Sequence, residues 1–475
     1  MTHSKRLHIA LHVLAGGLLA VAAWAPARVP DLALCWLQVG TPLLACGLIL
    51  ALLGWLTYRP RLARPSAVLC VLTCFLVIAL ALGEVAFRTA GFDFRRTAQQ
   101  LRQVAPFYRK PTVPTGLVYF RRPGPETWTG RVIWSCLEQL HVEPNPYTNE
   151  APITVVYDGN GFRNEAGGAD WELAVAGDSF TELGHLPFAR LFTSILAEQT
   201  GLRIHNLGVS FTGPLTQLSY LEDYGLAPAT RDTVIVFFEG NDLADLDREY
   251  RELQEYLKTG QRYLRGRRRQ TSLLRALCEL GLARTDDSPP PRLDPNAYFR
   301  SASGPVPVTL DLPLGLVSAL PTNVVRGFEF FLAGYARFAK QHRVRPWLVY
   351  LPSKPTVLRG LLSFPEESGS VWQDSPVSDL PDFVKAGCGR HGIRFINLTP
   401  ALVSETWRTR RLLYNALFDT HLNQRGAKVV AQELARRLGR AIRESRRERA
   451  QPPADTAAVP PRLRPAAHPS AATSG

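Results

Sequence analysis

Between Trp171 and Arg447 short apolar runs alternate with longer amphipathic stretches, and this alternation constrains the fold before any motif is considered. The runs are Leu173 to Ala176, Arg203 to Leu207, Thr233 to Phe238, Arg345 to Leu351 and Ile393 to Asn397. They are strand-sized, and the stretches between them carry helical periodicity. In Leu186 to Glu198, for example, Phe188, Leu191, Phe192, Ile195 and Leu196 share one face, and Gly201 stops the helix. Further helices are expected at Leu215 to Tyr224, from Asn241 through Leu257, at Phe328 to His342, at Asp382 to His391 and at Asn423 to Arg447. Five strands separated by helices predict a mostly parallel five-stranded sheet covered on both faces. Right-handed crossovers then leave a three-layer α/β/α sandwich as the simplest topology.

In such a sheet ligands bind beyond the carboxyl ends of the strands, and polar residues stand at those ends here. Ser179 follows the first strand within Gly177-Asp178-Ser179, Gly208 follows the second and Asn241 the third. Asp419-Thr420-His421 precedes the last helix. Each residue type has a task in acyl transfer. A serine hydroxyl becomes a nucleophile when an imidazole takes its proton. A carboxylate fixes the imidazole's tautomer and steadies its charge. Preorganised donors meet the tetrahedral oxyanion: the Ser179 backbone N–H, the Gly208 N–H and the Asn241 side-chain amide. The bland alternative is that Ser179 merely caps a helix. Residues two apart do not face each other on a helix, so Asp419 and His421 must lie in a loop. His205 falls inside a strand and reads as core. His185 could line the cleft, and His342 and His391 end helices, where a cation is welcome without catalysis.

Together, Gly177-Asp178-Ser179, Gly208 within Asn206-Leu207-Gly208, Gly240-Asn241-Asp242 and Asp419-Thr420-His421 resemble the four blocks of the SGNH (GDSL-type) hydrolase superfamily, over roughly Trp171 to Gly439. The resemblance implies an SGNH or flavodoxin-like sheet, Ser179 as nucleophile, His421 as base, Asp419 as its orienting acid, and Ser179, Gly208 and Asn241 as the oxyanion hole. The lead-in, with Glu84, Arg88 and the Asn160-Gly161-Phe162-Arg163 turn, looks like that of bacterial membrane-anchored members. Two departures stand out. Glu239 replaces the first glycine of the third block, and the last block is Asp-x-His rather than Asp-x-x-His. The latter is similar to the alginate O-acetylation proteins of the same superfamily, which move acetyl groups onto polysaccharide. The expected function is a serine esterase acting on O-acyl esters, acetyl esters among them, of a glycan or lipid. The alternatives are an O-acyltransferase of a cell-envelope polysaccharide using the same acyl-enzyme, and a non-catalytic envelope protein. The intact Ser, Gly, Asn and His set speaks against the last. No cofactor is expected, and no metal: the sequence has no His-Glu-x-x-His, no close cysteine pair outside its apolar segments and no acidic calcium loop.

Ahead of this region lie three apolar segments, roughly Ile9 to Trp24, Leu32 to Leu56 and Ala67 to Phe87. A bilayer-spanning helix needs about 20 apolar residues. Residues 1–92 are therefore expected to form a multi-pass membrane anchor, with the first segment, a signal peptide in the alternative reading, retained. Lys5 and Arg6, and then Arg59, Arg61 and Arg64, place the N-terminus and the second loop in the cytoplasm. The catalytic domain is then expected on the far side of a bacterial inner membrane, facing the periplasm or the cell exterior. Residues 93–170 form a lead-in with a hairpin near Val155 to Arg163, read as a structural turn. Residues 171–440 are expected to form the catalytic domain, with an insertion at about 258–308 containing Arg265-Gly266-Arg267-Arg268-Arg269, and residues 441–475 a disordered tail. The net charge of +14 is dispersed over several clusters, which points to the lipid bilayer or an anionic polymer and away from nucleic acid. Cys35, Cys46, Cys70 and Cys74 read as small hydrophobes. Cys136, Cys278 and Cys388 permit at most one intrachain disulfide.

Overall fold

A computed structural model describes residues 68, 72, 106–109, 111–115, 119–130, 152–165, 170–260, 295–310, 316–365, 377–417 and 420–450. The expected membrane anchor, Cys136, Cys278, the Arg265 to Arg269 run, Asp419 and the tail beyond residue 450 lie outside these, Val68 and Leu72 excepted. Among the described residues no helix is long and apolar enough to cross a membrane.

The chain first forms two antiparallel ribbons, β1 (Val113–Thr115) with β2 (Tyr119–Arg121) and β3 (Glu126–Gly130) with β4 (Ile153–Tyr157). Strands and helices then alternate through β5 (Leu173–Gly177), α1 (Ser179–Glu182), α2 (Phe192–Thr200), β6 (Ile204–Gly208), α3 (Pro214–Tyr224), β7 (Asp232–Phe238) and α4 (Asp242–Thr259). A hairpin, β8 (Ala297–Ser301) and β9 (Gly304–Val308), leads to α5 (Thr322–His342), β10 (Arg345–Leu351), α6 (Lys354–Leu358) and β11 (Leu362–Ser363). The series ends with α7 (Leu380–Arg390), β12 (Arg394–Asn397), α8 (Thr399–Thr409) and α9 (Gln424–Ala450).

The central sheet has five strands in the order β12-β10-β7-β5-β6, every neighbouring pair parallel. Its first strand, β5, lies between the second, β6, and the third, β7. The chain reverses its direction of travel across the sheet between β5 and β7, and that switch opens a crevice at their carboxyl ends. Alternation within strands makes the two layers. Leu173 and Val175 of β5 pack with Phe192 and Leu196 of α2 and Val430, Leu434 and Leu438 of α9. Ala174 and Ala176 face Leu218 and Leu221 of α3, Leu246 of α4 and Phe328 and Phe331 of α5. The predicted three-layer α/β architecture is therefore the observed one, and all five strands fall within a residue of their expected bounds.

The helix expected from Leu186 to Glu198 does not form as one piece. After α1 the chain makes a 3₁₀ turn at Phe188–Arg190 and re-enters a helix only at Phe192. Pro187 is the reason, since a proline bars its predecessor from the α region. The insertion contributes β8 and β9, and β8 pairs with both β9 and β11 in a separate three-stranded sheet. Phe299, Val308, Leu358 and Leu361 form its own small core. The buried Lys354 donates from Nζ to the Thr309 carbonyl (2.8 Å), fastening the insertion to the end of β10. Edge strand β6 is covered by one side chain. Asn164 donates to the Asn206 carbonyl (3.1 Å) and accepts from its N–H (2.9 Å), standing in for a neighbouring strand.

Candidate active site

Gly177 ends β5 in a place where a Cβ would sit 2.0 Å from Thr181 Oγ1, so the chain can fold back into α1 only with glycine there. Asp178, not Ser179, caps that helix: its carboxylate accepts the Phe180 N–H at 2.9 Å. Ser179, half-buried, is thereby the first helical residue at the carboxyl end of a central strand. Helix α1 has only four residues and ends at Leu183, whose φ is 42°. A helix that short has little macrodipole, and the environment of Ser179 is set by neighbouring groups instead.

Gly208 ends β6 directly opposite Gly177 in register. A Cβ there would lie 2.3 Å from the Glu182 N and 2.5 Å from the Thr181 carbonyl carbon, so only glycine lets the α1 backbone approach. The Gly208 N–H, expected to face an oxyanion, donates instead to the Asn206 side chain at 2.8 Å. Asn241 caps α4 at the end of β7, across the switch point from Ser179. Its amide donates to Asp245 at 2.6 Å and also steadies the Asp178 carboxylate.

His421 lies in the loop before α9, as the Asp-x-His spacing requires. Its ring centroid is 4.6 Å from that of Phe180, the residue after Ser179. Phe107 meets the same imidazole edge-on at 5.1 Å. His185 is a second ring in this cluster, 5.8 Å from His421, with Nε2 3.0 Å from the Leu422 carbonyl. The structure thus brings Ser179, Asn241, Gly208 and His421 to one end of the sheet; Asp419, two residues before the imidazole, lies outside the described part. His205 is buried in β6, stacked on Trp171 at 4.1 Å.

Beneath these residues lies a row of buried carboxyls. Burial pushes Asp178 up to about 6, against the Phe180 N–H and the charge of His421, which favour the carboxylate. Asp242 is raised well above the usual range by burial and by Asp178 beside it. Glu249 is raised to about 7 by burial, although it accepts the Gly213, Leu215 and Thr216 N–H groups and the Thr216 hydroxyl, capping α3 from α4. Glu239, the residue in place of glycine, is a strand-closing group: its Oε2 accepts from the Ser353 N–H and hydroxyl and from Thr356. Among the described residues no cluster of His, Cys, Asp or Glu could hold a metal ion. Cys388 is a free, buried thiol on α7, so it forms no disulfide.

The largest contribution that motif reading misses comes from the lead-in. Glu182 closes α1 and is wholly buried. Its Oε1 accepts from Arg122 Nε (2.6 Å) and the Tyr157 hydroxyl (2.5 Å), and its Oε2 from Arg122 Nη2 (2.9 Å) and the Ser210 N–H and hydroxyl. Arg122 spends its other donors on the carbonyls of Pro106, Phe107 and Arg109. Arg163, from the Asn-Gly-Phe-Arg turn read as structural, donates to the carbonyls of Leu183 (2.7 Å) and Leu186 (2.9 Å), holding the segment between α1 and α2. An acid three residues after the serine, with arginines in the lead-in, is a signal that sequence carries but does not pair.

No protein-family model matches the sequence, and no curated protein matches it. Solved structures are similar over about half of the chain. One is a member of the lipolytic G-D-S-L family from Veillonella parvula, at 12% identity over 56% of this chain and 98% of that one, with a TM-score of 0.28. Another is an acetyl xylan esterase, at 13% identity over 55% and 96%, with a TM-score of 0.28. A third is a carbohydrate esterase family 2 enzyme with a carbohydrate-binding domain from Corynascus thermopiles, at 11% identity over 62% and 72%, with a TM-score of 0.30. At such values neither activity nor substrate carries over to this chain.

Proposed function

We propose that this protein is a serine ester hydrolase acting on O-acyl groups of a glycan or lipid. The observation that carries this reading is the packing of the His421 imidazole, 4.6 Å between ring centroids, on Phe180, the residue that follows Ser179 at the carboxyl end of β5. Ser179 Oγ attacks the ester carbonyl as His421 takes its proton. The imidazolium returns that proton to the leaving alcohol, and water activated by His421 then releases the acid from the acyl-enzyme. Asp419 holds the imidazolium. The Ser179 N–H and the Asn241 amide, aimed by Asp245, receive the oxyanion; removing one such donor costs on the order of 100-fold in rate. Gly208 serves by close approach, its N–H joining only if it releases Asn206. The domain is held by the N-terminal apolar segments to a bacterial inner membrane and works on its outer side.

The test is a panel of acyl esters of graded chain length, with an active-site fluorophosphonate probe, on wild type and Ser179→Ala. Turnover and labelling are expected in wild type and lost in the variant; wild type indistinguishable from Ser179→Ala would refute the reading. The short Asp419-x-His421 spacing favours one second reading, transfer of the acyl group to a sugar hydroxyl. An added acceptor glycan would then divert product from free acid.

A further inference from the structure

Trp407, on the last turn of α8, is 43% exposed. The Arg410 guanidinium lies over its indole, 4.6 Å from the ring centroid. Gly360, just after α6, abuts the same ring: a Cβ there would sit 3.1 Å from Trp407 Cζ2. With φ of 80° that position favours glycine in any case, so the indole rests against bare backbone.

The insertion completes this surface. The Ala302 N–H donates to the Arg410 carbonyl (3.3 Å), and the Arg300 N–H to the Leu361 carbonyl (2.8 Å). Along β8, Ala297 and Phe299 enter the small core of the three-stranded sheet, while Tyr298 and Arg300 are exposed. Three separate stretches of chain therefore meet around one aromatic ring and its arginine.

A single exposed tryptophan is ordinary, and a cation at a helix carboxyl end is welcome without any ligand. The charge pairing sets this place apart. Arg408 spends its guanidinium on Glu405, the one described acid that β8, β11 and the last turn of α8 contain. No described residue accepts a hydrogen bond from the side chain of Arg410 or of its neighbour Arg411. Arg410 is thus stacked on the indole with its donors unspent. A planar guanidinium fork matches a carboxylate, and an aromatic ring accepts the C–H face of a sugar.

We infer that Trp407 and Arg410, flanked by Arg411 and Arg300, form a binding surface for an acidic polysaccharide, the indole meeting a pyranose ring and the guanidinium its carboxylate. An anionic bilayer would answer the charge equally, but it gains most from an indole that projects into it, and this one is packed against its own arginine and the Gly360 backbone. The inference rests on the glycan reading of the substrate and narrows it to a polymer bearing carboxylates. Arg410 and Arg411 open the connection from α8 to α9, the same connection that carries His421.

The test is calorimetric titration of the full chain in detergent with oligogalacturonate and with its carboxyl-reduced, neutral form. Wild type is compared with Trp407→Ala, Arg410→Gln and, as a control for net charge, Arg337→Gln on α5. Oligogalacturonate is expected to bind wild type, and Arg410→Gln to weaken it about 10-fold, the size of one lost charge-assisted contact. Arg410→Gln should also flatten the dependence on salt, and Trp407→Ala should weaken both polymers. Arg337→Gln should bind as wild type does, and p-nitrophenyl acetate turnover should be unchanged in all three variants. Equal affinity for the charged and neutral forms would overturn the inference, as would an equal loss in Arg337→Gln. So would binding to phosphatidylglycerol vesicles that depends on Trp407 when oligogalacturonate does not bind. Should Trp407→Ala unfold, Arg410→Gln against Arg337→Gln decides alone. Binding without turnover in wild type would fault only the esterase reading; turnover without binding would fault only this surface.

Discussion

Replacing Glu182 by glutamine should show how far the lead-in belongs to the site. The wild-type carboxylate carries five hydrogen bonds, two from Arg122, one from Tyr157 and two from Ser210. Glutamine keeps one acceptor oxygen and turns an N–H₂ group toward donors already facing it. Arg122, only 3% exposed, keeps its three carbonyl partners but loses its counter-charge. Removing one partner of a buried ion pair costs about 3–5 kcal/mol. For a domain of this size that lowers Tm by roughly 10 °C. Ser210 loses its anchor as well, so the loop beside the Ser179 turn loosens and kcat on a simple ester should fall. The assay is differential scanning calorimetry on wild type, Glu182→Gln, Arg122→Met and the double variant. The double variant is expected to be more stable than the sum of the single losses predicts, by about 2 kcal/mol. A loss below about 1 kcal/mol for Glu182→Gln, or strict additivity in the cycle, would show that the pair does not couple the lead-in to the catalytic turn.

Two further outcomes follow from the carboxyl row and the close glycine. The Glu249 acid is raised to about 7, so the stability it contributes is fully present below the ordinary carboxylate range and is lost as pH rises through about 7. The stability of wild type relative to Glu249→Gln should therefore drop by on the order of 3 kcal/mol between pH 4.5 and 8, and an unchanged difference across that window refutes the assignment. Gly208→Ala places a Cβ 2.3 Å from the Glu182 N. It should displace α1 from the strand end, costing about 1–3 kcal/mol as overpacking does, and lower kcat more than it raises KM. A variant with wild-type kcat and Tm contradicts the close approach.

The placing of the candidate residues was legible because they lie at strand ends, and strand ends are marked by the change from apolar runs to polar turns. Ser179, Gly208 and Asn241 could be placed on one edge of one sheet from strand bounds alone, given parallel strands. His421 needed only the helix that follows it. The Leu186 to Glu198 helix was misplaced because periodicity was read without Pro187. The role of Gly208 changed because its N–H finds Asn206, a side chain two residues back whose orientation depends on Thr181 and Thr193. Arg122 and Phe107 escaped notice, and Arg163 was read only as part of a structural turn, because each acts across a long sequence separation through geometry that no local pattern encodes.

The amino-acid order by itself determined the layered α/β class, the sequence of strands and the residue types gathered at their carboxyl ends. Burial on both faces leaves a distinct apolar signature, and right-handed connections allow few arrangements of it. Only the tertiary structure decided that the Gly208 N–H binds Asn206, that Glu239 closes a strand, and that a carboxylate on α1 binds an arginine 60 residues earlier. These depend on which buried polar groups find each other once water is excluded, and that pairing is settled by the packed fold as a whole.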